Sequence, residues 1–213
     1  MIDLDFQIDD VVVERFAAVP QLTARVLVSE STGQPLHAIA LRAQLTIEPQ
    51  RRAYEVGETE RLTDQFGPRD RWSVTLKPFH WMQCSTMVQG FSGSTLVELP
   101  MPVTYDLEVT ASKYLHQLDG GDVPVVFMFS GTCFTRGTAG FGVEQVPWHL
   151  EASYRMPVST WRSCMDLHFP GSGWLRLHRD TITELTHYKG EHGLTSWDAV
   201  VEHLLARQRV SEP

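Results

Sequence analysis

Glu184, His187 and Glu191 sit at i, i+3 and i+7, so a helix through them presents one imidazole and two carboxylates on a single face. Those are metal-ligating groups. A di-metal centre in a helical bundle, however, takes a second Glu-x-x-His and further carboxylates from facing helices. The chain holds one copy, so the ligand count falls short, and no metal is expected. The stretch "FSGTCF" at 129–134 puts Ser130 and Cys133 among glycine and aromatics. A serine nucleophile on a strand-to-helix elbow reads G-x-S-x-G. This segment lacks that order and lies within strand alternation, which makes both residues part of a core strand. Neither a Walker sequence nor a G-x-G-x-x-G fingerprint occurs, so no nucleotide cofactor is expected.

A third candidate is recognition of DNA. Residues 173–205, "GWLRLHRDTITELTHYKGEHGLTSWDAVVEHLL", pass from a short alternating segment into two compact helices, the outline of a ribbon-helix-helix unit. Arg176 and His178 would face the groove, with Leu175 and Leu177 inward. Residues 174–213 nevertheless carry five Lys or Arg against six Asp or Glu. With so little net attraction for phosphate, the segment reads as structural closure and no nucleic-acid partner is expected. A small-molecule enzyme built on loops around 79–94 and 146–149 stays open as an alternative, since Asp, Glu and His are plentiful.

The remaining unusual feature is aromatic and proline punctuation: "FHWMQ" at 79–83, "VPWH" at 146–149 and "FPGSGW" at 169–174. Six tryptophans are present. Core packing accounts for most; Trp81, Trp148, Trp174 and Arg176 are the candidates for a partner surface, because Trp and Arg are enriched at interface hot spots.

The whole chain has 213 residues, 42% hydrophobic, with 18 Lys and Arg against 26 Asp and Glu and a formal charge of −8. Such a balance disfavours a polyanionic partner. The start "MIDLDFQIDD" is acidic and alternating rather than a secretory signal, and the apolar run Val123–Phe129 is too short to span a bilayer. Cys84, Cys133 and Cys164 are odd in number and widely spaced. The expectation is a reduced, cytoplasmic protein with three buried thiols.

Strand patterning dominates residues 1–156. Ile2, Leu4, Phe6 and Ile8 alternate with polar residues, Leu22–Val28 follows, and "STGQP" at 31–35 predicts a hairpin turn into the alternating run Ile39–Ile47. A helical insertion is predicted near 58–66, stopped by Gly67-Pro68. Further strands are predicted at Trp72–Leu76, Trp81–Val88, Thr95–Leu99 and Val103–Tyr114. The Val123–Phe134 strand is apolar on both faces and belongs in the middle of a layered structure. "LDGGD" before it reads as a flexible turn, and Gly131 within it as a bulge or close approach. Residues 157–207 are the helical closure of the same core, with helices near 157–168, 181–192 and 196–207. Thr181 and Glu184 form a capping box, and Gly193 is a left-handed stop. The stripe of Trp197, Val200, Val201, Leu204 and Leu205 calls for cover by the sheet or by a second copy of the chain, a homodimer. Residues 208–213 are a polar tail. The fold class is α+β: an antiparallel, sandwich-like β core with a C-terminal helical element packed on it. A single long sheet with helices on one face is the rival.

Four segments carry a family resemblance: "RAQLTIEPQRRAY", "ASKYLHQLDGGDVPVVFMFSGTCF", "YRMPVSTWRSCMDLHFPGSGWLRLHRDT" and "YKGEHGLTSWDAVVEHLL". Over about residues 35–205 the chain resembles the DUF6084 family, a bacterial, mainly actinobacterial group of unknown function. Its members are often encoded beside high-affinity nickel–iron hydrogenase genes. The resemblance implies a non-enzymatic accessory or protein-binding role with a hydrogenase component as partner. The chain lacks the Cys-x-x-Cys pairs of a redox subunit.

Overall fold

In the computed structural model, which describes residues 2–103, 110–137, 140–172 and 177–211, the alternating segments become eight strands. They are β1 (Leu4–Val13), β2 (Gln21–Glu30), β3 (Leu36–Ile47), β4 (Phe79–Phe91), β5 (Ser94–Pro102), β6 (Asp122–Gly137), β7 (Gly140–Gln145) and β8 (Glu151–Pro157). They form two antiparallel sheets: sheet A in the order β1-β2-β5, and sheet B in the order β4-β3-β6-β7, with β8 also on β6. The fold is α+β with two sheets, which sets aside the single-sheet architecture. Their inner rows meet in one core, where Phe6 of β1 stacks on Phe129 of β6 with ring centroids 4.3 Å apart.

The connection at 31–35 is a correction to the predicted hairpin. β2 pairs with β1 and β5, whereas β3 pairs with β4 and β6. The chain therefore passes from one sheet to the other at "STGQP", and again at Ser92-Gly93 between β4 and β5. Two long strands, β2 continued by β3 and β4 continued by β5, make one ribbon folded over on itself. The physical reason lies in Glu30. Its buried carboxylate accepts the backbone N–H groups of Thr32 and Gln34, each at 3.1 Å, which turns the chain away from its own ladder.

β6 is central, flanked by β3 on one side and by β7 and β8 along the other. Its row Val123, Val125, Phe127, Phe129 is buried. The opposite row meets the layered expectation in part: Val126 is buried, whereas Met128 and Phe134 are half-exposed and Ser130 is exposed. Gly131 has φ +148°, and a Cβ there would lie 2.2 Å from the Ala40 carbonyl oxygen of β3. That is the close approach the sequence indicates.

Between β3 and β4 lie α1 (Val56–Arg61), α2 (Thr63–Phe66) and α3 (Trp72–Thr75). The strand predicted at Trp72–Leu76 is thus a helical turn. The Trp72 indole donates to the Gly67 carbonyl at 2.9 Å and meets Tyr54 edge-on, so tertiary packing overrides local β propensity. Part of the predicted strand Val103–Tyr114 lies outside the described residues, and its end is α4 (Thr110–His116). Ala111, Tyr114 and Leu115 are buried there at helical spacing. α5 (Val158–His168) follows β8 directly and packs on β1, β2 and β8 through Val158, Trp161, Cys164 and Met165.

The chain divides into two compact units, Met1–Gly173 and Trp174–Pro213, so α5 belongs with the sheets. The second unit holds α6 (Arg179–Glu191) and α7 (Trp197–Ser211). α6 starts two residues before Thr181, with His178 as its cap and no capping bond from that side chain, so the Thr181–Glu184 box does not form. Gly193 has φ +63° and ends the helix as expected. Among the described residues no helix is long and apolar enough to cross a membrane.

Gly131→Ala should lower unfolding free energy by roughly 2–4 kcal/mol, because the new methyl must displace a paired central strand. Urea denaturation measures this, and a loss comparable to an exposed strand glycine would show that β3 yields easily.

Candidate functional site

Alternation along the strands of sheet B puts Ala38, Ala40, Arg42 and Gln44 of β3 outward, opposite Gln89, Met87, Ser85 and Gln83 of β4. On the other side stand Phe134, Thr132, Ser130 and Met128 of β6. Val143 and Gln145 of β7 pair with Phe134 and Thr132. The small side chains of Ala40 and Gly131 leave two shallow depressions of about 330 and 250 Å³, on either side of β3, and both are lined by Ala40 and Arg42. The outward residues in this middle zone (83–89, 38–46, 126–134 and 143–145) include no Asp or Glu, and Arg42 is their charged group. Met87 and Val143 are exposed. On a chain of net charge −8, this middle zone offers amides, hydroxyls, thioethers and one guanidinium, and β8 borders it with Glu151 opposite Met128 and Arg155 opposite Pro124.

The predicted partner residues are distributed differently. Trp81 is 8% exposed and belongs to the core, at the bulge where β4 slips against β3 between Leu45 and Thr46. It is not part of a surface. Trp148 is 89% exposed, in the turn between β7 and β8, with His149 edge-on at 5.9 Å. Trp174 and Arg176 lie outside the described residues, as does the ribbon 173–176 of the DNA-binding reading. Residues 79–91 form one continuous strand, so of the loop proposed at 79–94 for an enzyme site only the bend at Ser92-Gly93 remains, while 146–149 is a turn.

The chemical candidates do not converge. Ser130 points outward from β6 and Cys133 inward. All three cysteines are free and buried. Burial pushes the Cys84 and Cys133 thiols up to about 11, with Glu144 adding to the shift at Cys133. Both therefore stay as poorly nucleophilic thiols at neutral pH. Glu184, His187 and Glu191 are exposed on α6. A depression of about 400 Å³ runs along that same helix and is lined by His187 and Glu191 but not Glu184. Among the described residues no group of three or more His, Cys, Asp or Glu could hold a metal ion.

The polar group that sequence reading missed is buried under the α1–α3 insertion. Glu58, 1% exposed, accepts from Arg52 Nη2 at 2.9 and 3.1 Å, from the Asp119 backbone N–H at 2.8 Å and from that of Glu55 at 3.0 Å. The Arg52 guanidinium also donates to the Gly120 carbonyl and lies 4.9 Å from the Tyr54 ring. Tyr54 donates to the Pro49 carbonyl at 2.7 Å and so accepts from Tyr114 at 2.8 Å. Burial raises both phenols, Tyr114 to about 12. Arg61 and Arg162 donate to the carbonyls of Gln117 and Asp119. "LDGGD" is accordingly a pinned loop rather than a flexible one. A sequence signal did exist: "QRRAYEVGE" places Arg52, Tyr54 and Glu58 close together.

The family description "Family of unknown function (DUF6084)" matches residues 1–213. The chain belongs to the DUF6084 family. Comparison with the curated proteins returned no match. Among solved structures, this DUF6084 chain is similar to a beta-glucosidase from Kluyveromyces marxianus at 7% identity and a TM-score of 0.27, over 73% of this chain and 15% of that one. It is also similar to beta-glucosidase 3B from Thermotoga neapolitana, determined in complex with alpha-D-glucose, at 10% identity and a TM-score of 0.26. That match covers 72% of this chain and 17% of the other. The DUF6084 chain therefore spans under a fifth of the length of either glucosidase.

Two measurements check the buried groups. Arg52→Ala leaves the Glu58 carboxylate buried without its cation and should cost about 3–5 kcal/mol in urea denaturation. Replacing both residues by apolar ones should cost less. On the alkaline side, a thiol or phenol held above its usual pKa contributes stability that is full below the unfolded value and lost as pH rises through the folded one. Stability should thus fall from about 9 to about 11 for Cys84 and Cys133, and onward to about 12 for Tyr114. Cys84→Ala with Cys133→Ala should remove the early part of that pH slope.

Proposed function

We propose that the protein is a non-enzymatic accessory protein of the cytoplasm that holds a protein partner against the outer face of sheet B. We further propose that the partner is a component of a nickel–iron hydrogenase or its precursor. The observation that carries the first part is the sparsely charged middle of that face, where β3, β4, β6 and β7 present Arg42 and no carboxylate and Glu151 of β8 stands at the margin beside Met128. Interface centres are depleted of charge and enriched in Met, Arg and aromatics. The row Met87, Arg42, Met128, Phe134 and Val143 has that chemistry, and Ala38, Ala40 and Gly131 let a partner's backbone approach closely. Arg42, placed at the shared rim of two depressions, supplies a directional donor for a carbonyl or carboxylate. The identity of the partner rests on the family resemblance and its association with hydrogenase genes.

The test uses the tagged full chain in cells that make the hydrogenase, with co-purifying proteins identified by mass spectrometry. Hydrogenase subunits should co-purify, and Arg42→Glu or Met87→Asp should reduce their recovery by about tenfold or more at unchanged thermal stability. Recovery unaffected by both substitutions would remove sheet B from the reading. No hydrogenase component recovered, together with normal hydrogen uptake after gene deletion, would remove the partner.

A further inference from the structure

Two helices alone bury little apolar surface, and in the second unit the stripe expected to be covered is largely open. Val200 is buried, but Trp197, Val201, Leu204 and Leu205 are 38–49% exposed. They recur at i, i+4, i+7 and i+8 along α7, a helix of 15 residues, and so form one continuous apolar strip. The charges beside the strip are arranged by their position along the helix. Asp198, Glu202 and Arg209 share one flank at i, i+4 and i+11, with the carboxylates in the first half and the guanidinium near the end. On the other flank Arg207 is directed to the Tyr188 hydroxyl of α6, which also meets Nδ1 of His203 at 2.8 Å.

From this arrangement we infer that α7 is a self-association surface and that a second copy of the same chain covers it, with the two α7 helices antiparallel. When a helix pairs face to face with an inverted copy of itself, each flank meets its own counterpart running the other way. Arg209 of each copy then stands opposite Asp198 and Glu202 of the other, twice over by symmetry. Leu204 lies near the two-fold axis, and Val201 faces Leu205. A closed, isologous contact of this kind is the common solution for a self-complementary patch, and two helix pairs so joined make a four-helix arrangement. A parallel pairing would need Arg207, which is already engaged with α6, as the partner of Glu202. The inference is independent of what occupies sheet B.

The experiment is sedimentation velocity on the full chain over about 1–100 µM, the range in which a modest interface dissociates. The wild type should run as a dimer that dissociates on dilution. Leu204→Glu should be monomeric throughout, with circular dichroism showing its helices retained. Arg209→Glu, a change at an exposed position, should weaken the dimer by about tenfold or more. The combined Asp198→Arg, Glu202→Arg, Arg209→Glu variant restores the charge pattern in mirror form and should recover dimerisation. A monomeric wild type at every concentration overturns the proposal. So does a dimer indifferent to Leu204→Glu, or one in which the charge swap fails to rescue Arg209→Glu.

Discussion

Both sheets depend on one fold in one ribbon, and that fold is held by the carboxylate of Glu30. β2 runs into β3 and β4 into β5, so the strands that build sheet A are the continuations of strands that build sheet B. A straight ribbon of that length would expose one apolar face along its whole extent. Doubling it back places the two apolar faces against each other, which makes a core from a single hairpin. The doubling requires that backbone N–H groups at the corner find acceptors outside the ladder. Glu30 supplies them to Thr32, Gln34 and Asp3. The Thr32 hydroxyl is the largest of the causes that hold its carboxyl below the usual range; burial acts against it. This part of the corner's stability is therefore present above the ordinary carboxylate pKa and is lost as pH falls through the lowered one.

The second requirement is to insert β6 beside β3, which buries an apolar strand in the centre of sheet B and brings a loop with it. A loop rich in glycine before a central strand has high conformational entropy. Here it is spanned by arginines. Arg52 reaches Gly120, Arg61 reaches Gln117, and Arg162 reaches Asp119 and Leu118. Glu58 then accepts the Asp119 N–H and neutralises Arg52. The insertion between β3 and β4 and the loop before β6 thus hold one another, although about sixty residues separate them. An ion pair so deeply buried contributes less to net stability than to fixing one arrangement, since removing either partner strands the other.

What was legible in the sequence is what period and local chemistry determine. The alternation of Ile39–Ile47, the two-sided apolar run of Val123–Phe134, the stop at Gly193 and the close approach at Gly131 all follow from side-chain spacing or from the unique backbone of glycine. What was not legible depends on contacts across the chain. "STGQP" has the composition of a hairpin turn, and only the choice of partner strands distinguishes a hairpin from a corner. Trp72 has strand propensity, yet its indole finds Gly67 and Tyr54 in a helical turn. Thr181 and Glu184 have the spacing of a capping box, but α6 begins earlier and places Thr181 inside the helix. Tryptophan as a partner marker failed at Trp81 because a one-residue slip in register turns the indole inward. The surface now favoured, around Arg42, carries no motif; it emerges only when the outward residues of four strands are read across the sheet.

That reading across the sheet also explains why β6 is apolar on both faces in a two-layer protein. The inner row is needed to meet Phe6 and its neighbours in sheet A. The outer row beyond buried Val126 has no such requirement, and a sheet whose outer face met only water would replace Met128 and Phe134 with charged residues, as β1 does with Asp5 and Asp9 on its own outer side. The two outer faces of the sandwich therefore differ in kind: an acidic one on β1, which favours dispersal in water, and one on sheet B whose middle carries Arg42 and no carboxylate, with Glu151 and Arg155 of β8 at its margin. Met128 and Phe134 stay half-exposed there, beside exposed Met87 and Val143. Leaving such side chains in contact with water forfeits the gain of burying them, about 1.5–3 kcal/mol for each large one. A sheet face with that composition would gain stability from being covered, which is the physical ground for the partner proposed at it.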